Sequence, residues 1–281
     1  MISVTLATAL NQGAQLLGQA AISVPRLTAE VLLCHALQRD RAYLFAHSTD
    51  ELTELAWIHY GRYLHERLGG KPTQYITHNQ EFYGRDFYVN RDVLIPRPET
   101  EHLVEAALAV IAESIPGRIL DIGTGSGAIA ISIALESNRT VMACDISTEA
   151  LAVAERNRRK HDAPVLYFAA DLASTVRPNS IDLLVSNPPY VPASDKSTIQ
   201  AEVRDWEPEV ALYGGDSGNE IYARLIAQAA DIVRPGGQLM MEMGYRSLDA
   251  IRPMLDAYWS NINVIHDLAG LPRVITAKRQ P

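Results

Sequence analysis

The chain has 281 residues, with 47% hydrophobic and 21% charged side chains, an ordinary globular balance that excludes a disordered chain, a collagen-like fibre and a coiled coil. At about 150 residues per domain the length points to two domains, and it suffices for a core without disulfide staples. The formal net charge of −8 is uneven: residues 1–80 hold six basic and six acidic side chains, so the whole excess falls on residues 81–281, which disfavours general nucleic-acid binding.

Residues 1–70 read as helices. Leu6, Ala9, Leu10, Leu16 and Leu17 form an amphipathic pattern, and Pro25 opens a second segment with Leu27, Val31, Leu32, Leu33, Ala36 and Leu37 at helical spacing. A third run, Leu52 to Leu68, stops at Gly69-Gly70 with Pro72 beyond. Residues 80–95 then alternate apolar and polar positions, with Gly84 and Asn90 as turn residues, and predict a short β-hairpin. Pro96 and Pro98 break the chain before a helix over 99–112. From Arg118 strands alternate with helices: 118–122, 140–145, 165–169, 181–186 and 238–243 are near-continuous apolar strands, the pattern of a parallel sheet covered on both faces. Two late strands, 262–266 and 273–277, predict an antiparallel hairpin at one edge. The expected division is a helical domain over 1–79, a hairpin linker over 80–98 and an α/β domain over 99–281.

Other class signals are weak. Cys34 and Cys144 read as buried free thiols in a reducing, cytoplasmic setting. No run approaches the roughly 18 apolar residues of a membrane span. The first charged side chain is Arg26, so the first residues look like neither a signal nor a transit peptide. The eight histidines show no metal spacing, and no metal is expected.

The first α/β strand runs into Asp121 and the loop Gly123-Thr124-Gly125-Ser126-Gly127, with a helix from about Ser126. Glycines there permit a tight turn and let a ligand approach the backbone. A bare structural turn would look similar, and Gly123, Gly125 and Ala128 also satisfy the dinucleotide fingerprint. Asp145, at the end of the second strand, suits two ribose hydroxyls, unless it caps the next helix, a role open to Ser147. Asp121 beside the loop disfavours a pyrophosphate and suits a cationic sulfonium. Asp171 and Leu172, at the third strand end, are placed to meet an adenine amino group and ring, with Asp171 as a plain helix cap the alternative.

The fourth strand ends in Asn187-Pro188-Pro189-Tyr190. Consecutive prolines fix two φ angles and remove two N–H donors, so the turn offers acceptors. Asn187 adds a side-chain carbonyl, and Tyr190 offers an aromatic face to a flat group. Convergent acceptors suit a planar NH2 group. Its delocalised lone pair is a poor nucleophile, and the acceptors hold it in line with a methyl donor. The motif therefore points to N-methylation of an amide or an exocyclic amine, with Asn187, Pro188 and Tyr190 as catalytic candidates and all four residues gripping the substrate.

With RLTAEVLLCHAL, QEFYGRDFYVNRDVLIPRPETE, ILDIGTGSGAIAI, SNPPY, EVRDWEPEVALYGGDSG, RPGGQLMMEMG and DLAGLPRVITAKR, the chain resembles the release factor glutamine methyltransferases, the PrmC/HemK family. The resemblance implies a seven-stranded, Rossmann-like class I methyltransferase domain after a helical substrate-recognition domain and a hairpin. It implies methyl transfer from S-adenosyl-L-methionine to the side-chain amide nitrogen of the glutamine in the Gly-Gly-Gln loop of peptide chain release factors. It assigns Gly123 to Gly127 to the methionine part of the cofactor, Asp145 to the ribose, Leu172 to the adenine, and Asn187 to both cofactor and substrate. Phe82, Arg97, Pro98 and Glu99 match linker positions expected to close over the cofactor. A monomer without direct nucleic-acid contact is expected.

A DNA adenine-N6 methyltransferase would use the same tetrapeptide on a flipped base. The acidic α/β part opposes it, and its one basic cluster, Arg156, Arg158, Arg159 and Lys160, reads as a solvated helix face. A non-catalytic cofactor sensor would not need Asn187 and Tyr190. A dinucleotide oxidoreductase would need a proton donor that no Ser-Tyr-Lys or His-Asp arrangement supplies.

Overall fold

The computed structural model describes residues 4–114 and 117–281. In chain order these form α1 (Leu6–Gln19), α2 (Pro25–Leu37), α3 (Arg41–Ala46), α4 (Glu54–Leu68), α5 (Thr73–Thr77), β1 (Gln80–Phe82) and β2 (Arg85–Phe87). A 3-10 turn at Pro98–Thr100 leads into α6 (Glu101–Ser114), β3 (Ile119–Ile122), α7 (Ala128–Ser137), β4 (Val141–Asp145), α8 (Thr148–His161), β5 (Val165–Ala169) and β6 (Ile181–Ser186). There follow β7 (Val191–Pro192), α9 (Ala201–Trp206), α10 (Glu209–Leu212), β8 (Tyr213–Gly215), α11 (Glu220–Ile232), β9 (Val233–Glu242), α12 (Leu248–Leu255), β10 (Trp259–His266) and β11 (Pro272–Arg279). One compact unit comprises the chain up to His78 with Ala201–Trp206; the other comprises Asn79–Gln200 and Glu207–Pro281.

In the first unit Leu6, Leu10, Leu17, Leu32, Leu33 and Tyr60 form a continuous core. Side-chain oxygens set the helix starts: Thr5 accepts from Thr8 N, Asp40 from Tyr43 N and Thr53 from Ala56 N. The three long helices match the apolar periodicity, whereas α3 and α5, of six and five residues, are too short to show one. The sequence gives no sign that α9 groups with this unit. Arg67 of α4, only 5% exposed, donates to Glu202 of α9 at 2.5 Å, so a buried guanidinium takes its counter-charge from 135 residues away.

The second unit is built on a seven-stranded sheet of order β10-β11-β9-β6-β3-β4-β5. Strands β9, β6, β3, β4 and β5 run parallel, and β11 pairs antiparallel with both β9 and β10, so the expected antiparallel edge hairpin is present. β3 is buried along its whole length. Leu120 and Ile122 face one apolar layer with α11, while Ile119 faces the other with α6 and α7. β9 starts five residues before the expected Gln238, because Val233 pairs with Ile181 across a bulge. The hairpin β1–β2 is shorter than its alternating pattern; it turns at Tyr83 and Gly84, both at positive φ (51° and 68°). The chain enters this sheet at β3, builds outward through β4 and β5, then returns to the other side of β3 with β6. That reversal opens a crevice beyond the carboxyl ends of β3 and β6.

Candidate active site

Both singled-out loops leave the sheet at this crevice. After β3, Gly123, Gly125 and Gly127 adopt φ of 73°, 53° and 82°, a region L side chains rarely occupy. The amides of Gly123 and Thr124 donate to the Cys144 carbonyl at 2.9 and 3.0 Å, which holds the loop against the end of β4. Nothing lies within 4 Å of where a Cβ would stand on Gly123 or Gly125, so their backbone borders open space. Gly127 differs: a Cβ there would lie 2.7 Å from the Tyr167 hydroxyl. It caps α7, which begins at Ala128 rather than at Ser126, and packs inward.

A cleft of about 300 Å³ lies at this edge, within the range of small-molecule sites. Gly123, Thr124, Gly125, Ser126, Asp145, Asp171, Leu172, Asn187 and Pro189 line it together, with Phe82 and Arg97 from the hairpin side. Gly127, Pro188, Tyr190, Pro98 and Glu99 do not line it. Pro188 is buried. Tyr190 turns behind the loop, where a Cβ on Gly244 would lie 3.0 Å from its ring. The ring is partly exposed but lies outside the lining of the cleft.

Asp145 receives the Gly125 amide on Oδ2 and the Ser147 amide on Oδ1, each at 2.9 Å. Ser147 caps α8 through the Ala150 amide, so Asp145 is free of that task. Burial raises its pKa, opposed by these backbone donors. Asp121 lies beneath the loop, fully buried, with the Thr124 hydroxyl donating at 2.7 Å. Burial pushes its pKa to about 7, Thr124 opposes the rise and Asp145 adds to it. Asp171 lines the cleft and is not a helix cap. No helix follows it to be capped, and Arg224 of α11 binds its carboxylate at 2.6 Å. Leu172 holds φ of 51°, and its carbonyl accepts the buried Cys144 thiol at 3.4 Å. Cys34 is only partly buried.

Asn187 donates from Nδ2 to the Thr100 hydroxyl at 3.2 Å, which leaves Oδ1 as its free acceptor. The turn after it is packed by backbone: a Cβ on Gly214 or Gly218 would come within 2.6 Å of the Pro189 carbonyl or 2.5 Å of the Tyr190 carbonyl. Burial pushes Tyr190 up to about 12, with Glu242 adding to the rise and Arg273 opposing it, so the phenol stays neutral.

Sequence reasoning missed three supports. Glu207, 4% exposed, accepts from the Ile95 amide at 3.1 Å and from Arg97 at 2.5 Å, fixing the segment that carries Thr100. Asn157, fully buried, donates to the carbonyls of Tyr88 and Ser126 and accepts the Tyr88 amide. Thr100 itself lies in the PRPETE stretch. Only partners distant in sequence disclose these roles. The basic cluster on α8 is largely engaged: Arg158 and Arg159 pair with Glu155, Lys160 donates to the Asp86 carbonyl, and Arg156 lies 3.4 Å over the Tyr88 ring.

The open glycine backbone, the Asp145 carboxylate and the apolar Leu172 fit a ribose-bearing cation with a flat ring. Residues 8–77 match the PrmC N-terminal domain and residues 101–204 the methyltransferase small domain. A release factor glutamine methyltransferase of Koribacter versatilis is 43% identical over 98% of this chain and 99% of its own length. One of Nitratidesulfovibrio vulgaris is 40% identical over 98% of this chain and 95% of its own length. A methyltransferase structure from Pyrococcus furiosus shares the fold with a TM-score of 0.53, 19% identity, and coverage of 71% of this chain and 91% of its own.

Proposed function

The chain belongs to the release factor glutamine methyltransferases, and on that premise we propose that it methylates the side-chain amide nitrogen, N5, of the glutamine in the Gly-Gly-Gln loop of a peptide chain release factor. The observation that carries this reading is Asn187, which lines the cleft beside the glycine loop with its amide oxygen unspent.

S-adenosyl-L-methionine supplies an electrophilic methyl group. Gly123 and Gly125 would offer it open backbone. Asp145, fixed by the amides of Gly125 and Ser147, would hold the ribose hydroxyls. Leu172 gives the adenine an apolar surface. The Asn187 Oδ1 is assigned to one N–H bond of the glutamine amide, and the backbone carbonyls of the turn that follows it to the other. Held there, the nitrogen is drawn out of conjugation and its lone pair aimed at the methyl carbon. The N–C bond forms as the C–S bond breaks, and the same acceptors stabilise the positive charge that develops. The nitrogen then sheds one proton to solvent. Neutral Tyr190 braces the turn and does not serve as a base.

We place the enzyme in the cytoplasm as a monomer, with the helical unit docking the release factor. The test offers the purified protein a release factor and duplex DNA together. The Gly-Gly-Gln peptide gains the mass of one CH2 and adenine gains none. Asn187→Ala lowers the rate by at least about a hundredfold without lowering the melting temperature. An unmodified peptide beside methylated adenine refutes the assignment.

A further inference from the structure

Beneath Asn187 lies a polar group that the reaction as described leaves unused. Glu242 ends β9, and the parallel register pairs Ser186 with Met241, so Asn187 and Glu242 are the next residues on adjacent strands. Glu242 is 2% exposed, its Oε2 has no hydrogen-bond partner among the described residues, and it does not line the cleft. Thr100, 4% exposed, stands beside both: it accepts from Asn187 Nδ2 at 3.2 Å, and its hydroxyl hydrogen-bonds Glu242.

A threonine hydroxyl has one hydrogen and two lone pairs, and a side-chain amide has one accepting and one donating end. An ionised carboxylate only accepts. When it takes the Thr100 hydrogen, the hydroxyl has only lone pairs left for Asn187. Asn187 must then turn its NH2 inward and its carbonyl toward the cleft. A protonated carboxyl can instead donate its own hydrogen to the Thr100 oxygen, and the hydroxyl hydrogen is then free to meet Asn187 Oδ1. The amide then turns over and presents its own NH2 group to an incoming NH2 group. We propose that Glu242 and Thr100 are positioning residues, a buried relay that fixes the flip of the Asn187 amide so that its oxygen faces the substrate nitrogen. The proposal rests on the reading of Asn187 given above.

The groups around Glu242 set when the relay is engaged. Burial pushes its carboxyl up to about 7, opposed by Thr100 and by Arg273 of β11 and Arg97 of the linker, and reinforced by Glu99. Tyr190 and Tyr222, both neutral, complete the surroundings; the Tyr222 hydroxyl donates to the Glu242 backbone carbonyl at 3.2 Å. The carboxyl is raised, so the ionised, orienting form is lost as pH falls through about 7. Methyl transfer should fall with it.

The experiment combines kinetics with the side-chain amide resonances of Asn187, identified by their loss in Asn187→Asp. Thr100→Val, which keeps the shape and removes the hydroxyl, lowers kcat about tenfold with little change in KM, and Thr100→Ser restores most of it. Glu242→Gln, whose carbonyl still accepts but does not ionise, flattens the fall in kcat below neutrality. In wild type the Asn187 NH2 resonances titrate with a midpoint near 7, and in Glu242→Gln they do not. Wild-type kcat in Thr100→Val, or Asn187 resonances that titrate alike in wild type and Glu242→Gln, overturns the relay. The resonances need no substrate, so a release factor that gains no methyl group refutes the proposed function while the relay is still judged by the titration.

Discussion

At the scale of single residues, the site is a set of carboxylates whose burial alters their chemistry. Asp121 has no exposed surface, and burial lifts its pKa to about 7 against the Thr124 hydroxyl and the Ala130 amide. An unfolded Asp titrates near 3.9. Between those values the folded chain holds a proton that the unfolded chain releases. The contribution of this group to stability is therefore complete at low pH and is lost as pH rises through about 7. Asp121→Asn removes the titration, so its unfolding free energy should vary less than wild type across roughly pH 4 to 7. Parallel curves for the two proteins would show that Asp121 is ionised throughout. Much of the cleft lining was legible: Gly123, Gly125, Asp145 and Asn187 stand out in the sequence and line the cleft. Which candidates reach the cleft was not: Gly127 and Tyr190 satisfy the motifs and lie outside its lining.

At the scale of elements, the strands were legible because burial on both faces forces unbroken apolar runs such as Ile181–Ser186. The long helices were legible by periodicity and caps. Asn157 was not, since a polar residue on a polar helix looks like solvent-facing surface. In the fold it is fully buried, and it ties α8 to the exit of the hairpin at Tyr88 and to the glycine loop at Ser126. Asn157→Leu removes these three hydrogen bonds and should cost about 1–3 kcal/mol or more in urea unfolding. A loss below roughly 0.5 kcal/mol, the range of surface changes, would mean that these groups find other partners.

For the whole molecule, binding and stability are linked. A cofactor that binds only the folded chain at a hundred times its Kd adds about 2.7 kcal/mol. That should raise the melting temperature of the unit holding the cleft by roughly 5–10 °C. S-adenosyl-L-methionine should produce the shift and NAD should not, and Asp145→Ala should lose most of it at the same concentration. Equal shifts with NAD would reassign the cleft. The sequence by itself determined the alternation of helix and strand, the change from a helical to an α/β region near residue 80, and the chemistry of the Gly-x-Gly-x-Gly and Asn-Pro-Pro-Tyr turns. These follow from local rules: apolar period, backbone freedom at glycine, and its denial at proline. The tertiary structure alone decided that Arg224 takes Asp171, that Glu207 anchors the Arg97 segment, that α9 groups with the helical unit, and that Thr100 stands between Asn187 and Glu242. Each joins groups dozens of residues apart, and a buried charge or hydroxyl is satisfied by whichever partner the fold brings near, which no spacing along the chain records.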